Sequence, residues 1–209
     1  MRVFRGYSRP VPVPVVLAIG NFDGVHLGHA ALVRQLADAA VRLQSVPTVL
    51  TFEPHPREFF VPASAPARLT TLREKLELLG DSGASQAMIC PFNAAFAALS
   101  ADEFVERVLV RSLQVKHLII GDDFRFGRGR VGDFAMLQAA GTRFGFTVET
   151  MPSVTVDGER VSSSAVRAAL AAGEMERAAR LLGRPYIIDG RVAHGDKIGR
   201  QLGFATANI

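Results

Sequence analysis

Cysteine is almost absent from this 209-residue sequence, in which Cys90 is the only one. A single thiol can form neither an intrachain disulfide nor a cysteine-rich zinc site, and we interpret Cys90 as a small buried residue at a strand end. Long apolar runs are also lacking: residues 11–20 are too short to cross a bilayer and include Pro12 and Pro14. We therefore expect a cytoplasmic protein without a membrane partner.

A concentrated run of basic residues is missing as well. The net charge is +4 and the arginines are spread along the chain, so nucleic acid is not expected as a partner. Small phosphorylated ligands suit this charge equally well. With 48% hydrophobic residues, the chain can bury one α/β core and has a short segment left over.

Apolar runs alternate with segments of helical periodicity. Residues 15–19 are continuously apolar, which is typical of a strand buried on both faces. Residues 28–43 then carry an apolar stripe at helical spacing. Further strands are predicted at residues 48–52, 87–90, 118–120 and 146–149, with a proline-rich loop after the first of these. A second helix is predicted from Leu72 to Leu79 and is closed by Gly80. A third is predicted after a capping box formed by Ser100 and Glu103, and a fourth over residues 132–140.

This alternation predicts an α/β fold with a Rossmann-like, mainly parallel sheet and helices on both faces. Ligands in such sheets bind beyond the carboxyl ends of the strands. Two short helices at residues 163–172 and 175–182 are split by Gly173 and ended by Gly183. We therefore expect one domain over residues 1–183 and a fragment over 184–209. That fragment has strand-like pieces at 186–188 and 190–193 but is too short for its own core.

The first motif that carries chemistry occupies residues 20–29, between the first strand and the first helix, and reads GNFDGVHLGH. A helix N-terminus favours a phosphate, and glycines at 24 and 28 let the backbone approach it. His26 and His29 are three residues apart, so on a first helical turn they can donate together to an anion. The alternative is a surface pair or half of a metal site, but no other histidine has helpful spacing. The segment resembles the HxGH nucleotidyltransferases, in which both histidines contact the phosphates of a nucleoside triphosphate.

The second motif follows the fourth predicted strand, over residues 121–133, and reads GDDFRFGRGRVGD. Gly127, Gly129 and Gly132 spell GxGxxG, with Glu149 about where a dinucleotide-binding site has its acidic residue. Six residues separate the strand from the first glycine, which is too many for a tight pyrophosphate turn. Arginines and glycines between aromatics instead suit a mobile loop that grips phosphates, although its phenylalanines can equally well be core residues.

The third motif, over residues 161–167, reads VSSSAVR and opens a helix. One or two of its serines are explained as N-caps. Its hydroxyls, its backbone N–H groups and Arg167 can also converge on an anion.

Together with TFEPHP at residues 51–56, LTTLREK at 69–75 and PFN at 91–93, these motifs closely resemble the bacterial bifunctional riboflavin kinase/FAD synthetase family, from about residue 15 to residue 209. The resemblance implies transfer of AMP from ATP to FMN with Mg²⁺, giving FAD and pyrophosphate. Ser164 replaces the usual threonine and keeps its hydroxyl. The resemblance implies catalytic roles for His26, His29 and Arg167; ATP-binding roles for Gly20, Phe22, Asp23, Gly24, Gly28, Arg130, Ser163 and Ser164; and flavin-binding roles for Pro56, Asn93, Asp123, Phe124 and Phe126.

The segments LGRPY at 182–186, GRV at 190–192 and GFATAN at 203–208 resemble the start of the family's kinase domain, a β-barrel. Thr206 and Asn208 match its Mg²⁺–nucleotide pair, whereas Ala205 replaces a proline and the family continues well beyond Ile209. We therefore expect no riboflavin kinase activity from this polypeptide and no protein-bound metal, with Mg²⁺ carried by ATP.

Two alternatives remain open at this point. Another HxGH transferase would act on a nicotinamide-, pantetheine- or choline-type phosphate, and a sensor would bind flavin or nucleotide without turnover. The hypothesis that we carry forward is direct attack of an FMN phosphate oxygen on the α-phosphorus of ATP, with His26 and His29 stabilising the growing charge.

Overall fold

The computed structural model of the chain describes residues 1–188 and, beyond them, residues 190, 193, 203 and 204. Six strands form one sheet: β1 (Arg2–Arg5), β2 (Val15–Ile19), β3 (Val46–Glu53), β4 (Gln86–Pro91), β5 (Val115–Gly121) and β6 (Thr147–Met151). Their order in the sheet is β1-β4-β3-β2-β5-β6, and every neighbouring pair is parallel. The expected α/β class with a parallel sheet is therefore confirmed. A separate antiparallel pair is formed by β7 (Thr155–Val156) and β8 (Glu159–Arg160).

Helices connect the strands, and in the part of the chain described above none is both long and apolar enough to span a bilayer. The α-helices are α1 (Leu27–Arg42), α2 (Pro56–Phe60), α3 (Leu72–Asp81), α4 (Ala94–Ala97), α5 (Ala101–Glu103), α6 (Phe134–Phe144), α7 (Ser163–Ala171) and α8 (Met175–Leu182). Helix α5 continues directly into a π-helix over Phe104–Ser112. Short 3-10 turns occupy Pro62–Ser64 and Arg128–Arg130.

Strand β2 is buried along its whole length, and alternate residues face opposite sides of the sheet. Val15, Leu17 and Ile19 pack with the π-helix and α6 on one face. Val16 and Ala18 pack with α1 and with Leu79 of α3 on the other. The sheet thus has helices on both faces, as its continuously apolar strands predict.

Several local predictions need correction. Gly80 lies inside α3, which runs one residue further, and the chain turns at Gly83 with φ +116°. Helix α6 begins at Phe134, later than predicted, because Asp133 provides its N-cap. The loop after β3 contains α2, and residues 186–188 belong to no strand. Edge strand β1 was not predicted, because only two apolar residues lie between its terminal arginines.

Two helical glycines differ in the space available for a side chain. A Cβ on Gly141 of α6 would lie 2.4 Å from the carbonyl oxygen of Phe146, whereas one on Gly80 would meet its nearest atom, Met1 Cβ, at 3.7 Å. The first contact forces the backbone to shift, and the second is ordinary van der Waals packing.

We expect the matched substitutions Gly141→Ala and Gly80→Ala to change the free energy of unfolding in opposite directions. The Gly141 variant should lose about 1–3 kcal/mol through overpacking, and the Gly80 variant should gain roughly 0.5–1 kcal/mol from the lower backbone entropy of its unfolded chain. Urea unfolding of both variants and the unaltered chain measures this. Equal stability of the two variants would contradict the close approach of α6 to residue 146.

Candidate active site

The order of strands in the sheet reverses at β2, whose neighbours are β3 and β5. A crevice at the carboxyl ends of the strands is the usual ligand site at such a reversal. A cavity of about 870 Å³ lies there. Its walls come from the segments that follow β2, β3, β4, β5 and β6 and from the start of α7. The three motifs found in the sequence therefore share one cavity.

The β2–α1 loop, residues 20–26, folds tightly before α1 begins. Phe22 and Val25 adopt positive φ angles of 50° and 38°, and Gly24 has φ 79°. The Phe22 ring is completely buried, so the loop is held from beneath by the core. The chain then reaches His26, whose side chain caps α1.

The two imidazoles of the motif stack against each other, with ring centroids 3.7 Å apart. His26 Nδ1 accepts a hydrogen bond from the His29 backbone N–H at 3.3 Å, which leaves its Nε2 as the N–H donor of the neutral ring. Burial lowers the pKa of His26 to about 4. Burial, aided by the nearby His26 and Lys75, also lowers the pKa of His29 well below its usual range. Both rings are therefore neutral at pH 7.

Among the described residues, His29 Nδ1 is buried and has no hydrogen-bond partner. An unsatisfied buried nitrogen costs free energy that a ligand can recover. The His29 ring lines the cavity with its remaining atoms.

Asp23 does not line the cavity but ties the β2–α1 loop to two other segments. Its carboxylate accepts hydrogen bonds from the backbone N–H groups of Leu69 and Thr70 at 3.1 and 3.3 Å and from the Thr70 hydroxyl at 3.3 Å. It also forms an ion pair with Arg167 of α7, whose Nε donates to the Ala67 carbonyl at 2.7 Å. Arg167 is thus held by Asp23 and by the Ala67 carbonyl and is not part of the cavity lining.

The serines that open α7 have three different environments. Ser162 caps the helix by accepting from the Ala165 N–H at 3.1 Å. The Ser163 hydroxyl donates to the Asp23 carbonyl at 2.9 Å. Ser164 is exposed, and all three serines line the cavity. The start of α7 therefore adjoins the same cavity as the start of α1.

The β5–α6 loop is closed by two backbone hydrogen bonds between Phe126 and Gly132, at 3.1 and 3.0 Å. A Cβ on Gly132 would lie 2.6 Å from the Phe126 ring, so close packing against this ring explains why a glycine occupies position 132. Phe126 itself is buried against Phe104 and Phe124. This closed loop is not a tight strand-to-helix turn, so it lacks the geometry of a dinucleotide-binding site.

The sequence motifs pointed to only part of the cavity lining. Phe52, Phe60 and Phe92 join Phe96 and Phe104 in one group of aromatic contacts, which we call the aromatic wall. Phe60 is 61% exposed. The sequence signal for the aromatic wall was the position of its residues at the end of β3 and in the segments that follow β3 and β4. His55 also lines the cavity and caps α2, and burial lowers its pKa.

The structure brings most of the sequence-predicted site residues to the cavity. Asn93 caps α4 through the Phe96 N–H at 2.9 Å and, like Phe22, Asp23, Gly24 and Arg167, is not part of the lining. Asp123 is paired with Arg160 at 3.1 Å. Thr206 and Asn208 lie outside the described residues. The predicted residues that line the cavity are Gly20, His26, Gly28, His29, Pro56, Asp123, Phe124, Phe126, Arg130, Ser163 and Ser164.

Comparison with known proteins agrees with this geometry. Residues 9–165 match the FAD synthetase family model, and residues 182–209 match the riboflavin kinase family model. A bifunctional riboflavin kinase/FMN adenylyltransferase of Pseudomonas fluorescens is 51% identical over the whole chain, and one of Escherichia coli K12 is 47% identical; the chain covers 68% of each. A solved structure titled as a macrolide-efflux protein from Streptococcus pneumoniae superposes over the whole chain and 68% of its own length, with a TM-score of 0.83 and 27% identity. The chain belongs to the bifunctional riboflavin kinase/FMN adenylyltransferase family.

Proposed function

We propose that this chain is an FMN adenylyltransferase, which transfers AMP from ATP to FMN and releases FAD and pyrophosphate. The observation that carries the proposal is the single cavity, in which two helix starts with polar side chains adjoin the aromatic wall. A triphosphate suits the first part and a flat flavin ring suits the second. Acceptors without an aromatic ring system would leave that wall unused.

The polar part of the cavity suits phosphate oxygens for three reasons. The N-termini of α1 and α7 offer unpaired backbone N–H groups and the positive ends of two helix dipoles. The neutral His26 and His29 rings, which both line the cavity, can each donate one N–H. Arg130, which is exposed on the β5–α6 loop, adds positive charge.

The proposed reaction needs no covalent intermediate. An FMN phosphate oxygen attacks the α-phosphorus of ATP, a bond forms between them, and the bond to the β-phosphate oxygen breaks to release pyrophosphate. The attacking oxygen is already anionic, so no general base is required. His26 and His29 act as preorganised donors to the charge that grows on the phosphates.

The aromatic wall is the proposed flavin side. Phe60 exposes much of its ring at the cavity, and stacking on a flavin would bury it. Pro56 and Phe124 line the same cavity. The Asn93 side chain caps α4, so we propose that its role is to shape the segment that carries Phe92 and Phe96.

Magnesium is proposed to arrive with ATP. Within residues 1–188 and the four later described positions, no group of three His, Cys, Asp or Glu side chains could hold a metal ion. We also propose a domain boundary at residue 183, where α8 ends with Gly183 in the left-handed conformation as its C-cap.

The test is to incubate the purified chain with FMN, ATP and Mg²⁺ and to measure FAD and pyrophosphate, which we expect in equal amounts. Nicotinamide mononucleotide, phosphopantetheine and phosphocholine serve as competing acceptors. Product from one of these and none from FMN would favour another transferase of the same motif. Binding of FMN and ATP without product would favour a sensor.

We expect His29→Ala to slow FAD formation about a hundred- to a thousand-fold, because it removes a preorganised donor to the developing charge. Steady-state rates at saturating ATP and FMN measure the effect. His117→Ala is the matched control, because His117 lies on β5 outside the cavity lining and hydrogen-bonds Thr147. A His29 variant as fast as this control would remove His29 from the mechanism.

The lowered pKa of His26 predicts a loss of stability in acid. The unfolded chain binds a proton at this ring near pH 6.5, whereas the folded chain binds it only near pH 4, so stability falls as the pH drops through that interval. His26 should contribute about 3 kcal/mol to the loss. Urea midpoints between pH 7 and pH 4 measure it. His26→Asn, which keeps a helix-capping side chain, should fall less steeply, and parallel curves would contradict the assignment.

A further inference from the structure

Arg184 lies directly after the C-cap of α8 and reaches back to the β2–α1 loop. Its Nη2 donates to the Gly24 carbonyl at 2.7 Å, and its Nη1 donates to the Val25 carbonyl at 3.0 Å. The same Nη1 lies 3.4 Å from the Leu182 carbonyl. One guanidinium therefore joins two consecutive peptide groups immediately before His26.

The loop is the main partner of this cation. In the described part of the chain, no carboxylate lies within ion-pair distance of Arg184. Burial lowers the pKa of the guanidinium, and the negative charge of Glu74 opposes this effect. Guanidinium groups remain protonated in proteins, so a partly buried cation here is stabilised chiefly by the carbonyl groups of the loop.

Packing around Arg184 keeps this contact close. A Cβ on Gly183 would lie 2.4 Å from the side chain of Leu27, and one on Gly24 would lie 3.6 Å from that of Leu182. The chain at residues 182–184 thus fits directly against the end of the β2–α1 loop and the first residue of α1. These two contacts hold the backbone on the N-terminal side of Arg184 within reach of the loop carbonyls.

The contact also crosses the boundary between the two family models. Residues 9–165 match the FAD synthetase model, and the riboflavin kinase match begins at residue 182. Arg184 therefore lies within the kinase-matched segment, while both of its loop carbonyls lie within the synthetase-matched segment.

We propose that Arg184 is a positioning residue of the adenylyl-transfer site: it fixes the Gly24 and Val25 carbonyls so that His26 and the start of α1 are preorganised for the triphosphate. This inference rests on the proposed function. Arg184 acts through the loop and is not part of the cavity lining. The kinase-matched segment thereby supplies part of the scaffold of the neighbouring site.

The test compares Arg184→Gln and Arg184→Lys with the matched control Arg180→Gln. Arg180 is an exposed arginine of α8 that faces Asp157 at 3.6 Å and does not contact the loop. Loss of two charge-assisted hydrogen bonds should lower kcat/KM for ATP about ten- to a hundred-fold in Arg184→Gln. Most of the change should be in the KM for ATP, with the KM for FMN within about two-fold of the control.

The lysine variant separates charge from geometry. A lysine keeps the positive charge but lacks the planar fork that spans two carbonyls, so we expect Arg184→Lys to remain clearly impaired for ATP. Adding methylguanidinium to Arg184→Ala should restore part of the activity, whereas the same concentration of sodium chloride should not. A purely structural role predicts no such rescue.

Binding of ATP with Mg²⁺, measured by equilibrium dialysis, keeps this test separate from that of the proposed function. If the unaltered chain forms no FAD, the proposed function fails, whereas weaker ATP binding by Arg184→Gln than by Arg180→Gln still supports the positioning role. Equal ATP binding and equal KM for ATP in those two variants would overturn it. The positioning role would also be overturned if Arg184→Gln had a lower thermal midpoint and lost kcat/KM equally toward ATP and FMN, and if methylguanidinium did not restore the activity of Arg184→Ala.

Discussion

The carboxylate of Asp23 is almost completely removed from water, with only 4% of the residue exposed, and a buried charge is tolerated only when it is paired and hydrogen-bonded. Its partners come from residues 69–70 and from Arg167 of α7. Taking one partner away from such a pair typically costs about 3–5 kcal/mol. This requirement holds the β2–α1 loop, the segment before α3 and the start of α7 together, and the polar part of the cavity depends on that arrangement.

The sequence allowed good prediction of elements whose burial follows a simple period. Strand β2 is apolar at every position because it is covered on both faces, and α1 shows one clear stripe. Strand β1 escaped prediction because it is an edge strand, joined to β4 by backbone pairing that leaves little trace in side-chain type. Helix α2 had visible signals, a proline at its first position and a capping box of His55 and Glu58, inside a stretch that looked like a loop.

The site was predictable as a set of loops but not as a set of side-chain directions. Motif spacing placed residues 20–29, 121–133 and 161–167 at the carboxyl ends of strands or at helix starts, and they share a cavity. The spacing could not show that Asp23 and Arg167 form an ion pair with each other and are not part of the cavity lining. The direction of a side chain depends on long-range partners such as Leu69 and Thr70, and no local period records these. The individual roles assigned to site residues remain predictions.

The aromatic wall and the stacked histidines are carried by different parts of the sheet. The first lies at the end of β3 and in the segments after β3 and β4, and the second lies in the segment after β2. In the proposed function the aromatic wall is the acceptor side and the histidines are the donors to the phosphates, so substitutions at Phe60 or Phe92 would reshape the first without disturbing the second. In evolutionary terms, a scaffold of this kind can exchange one acceptor for another while its bond-forming chemistry stays the same.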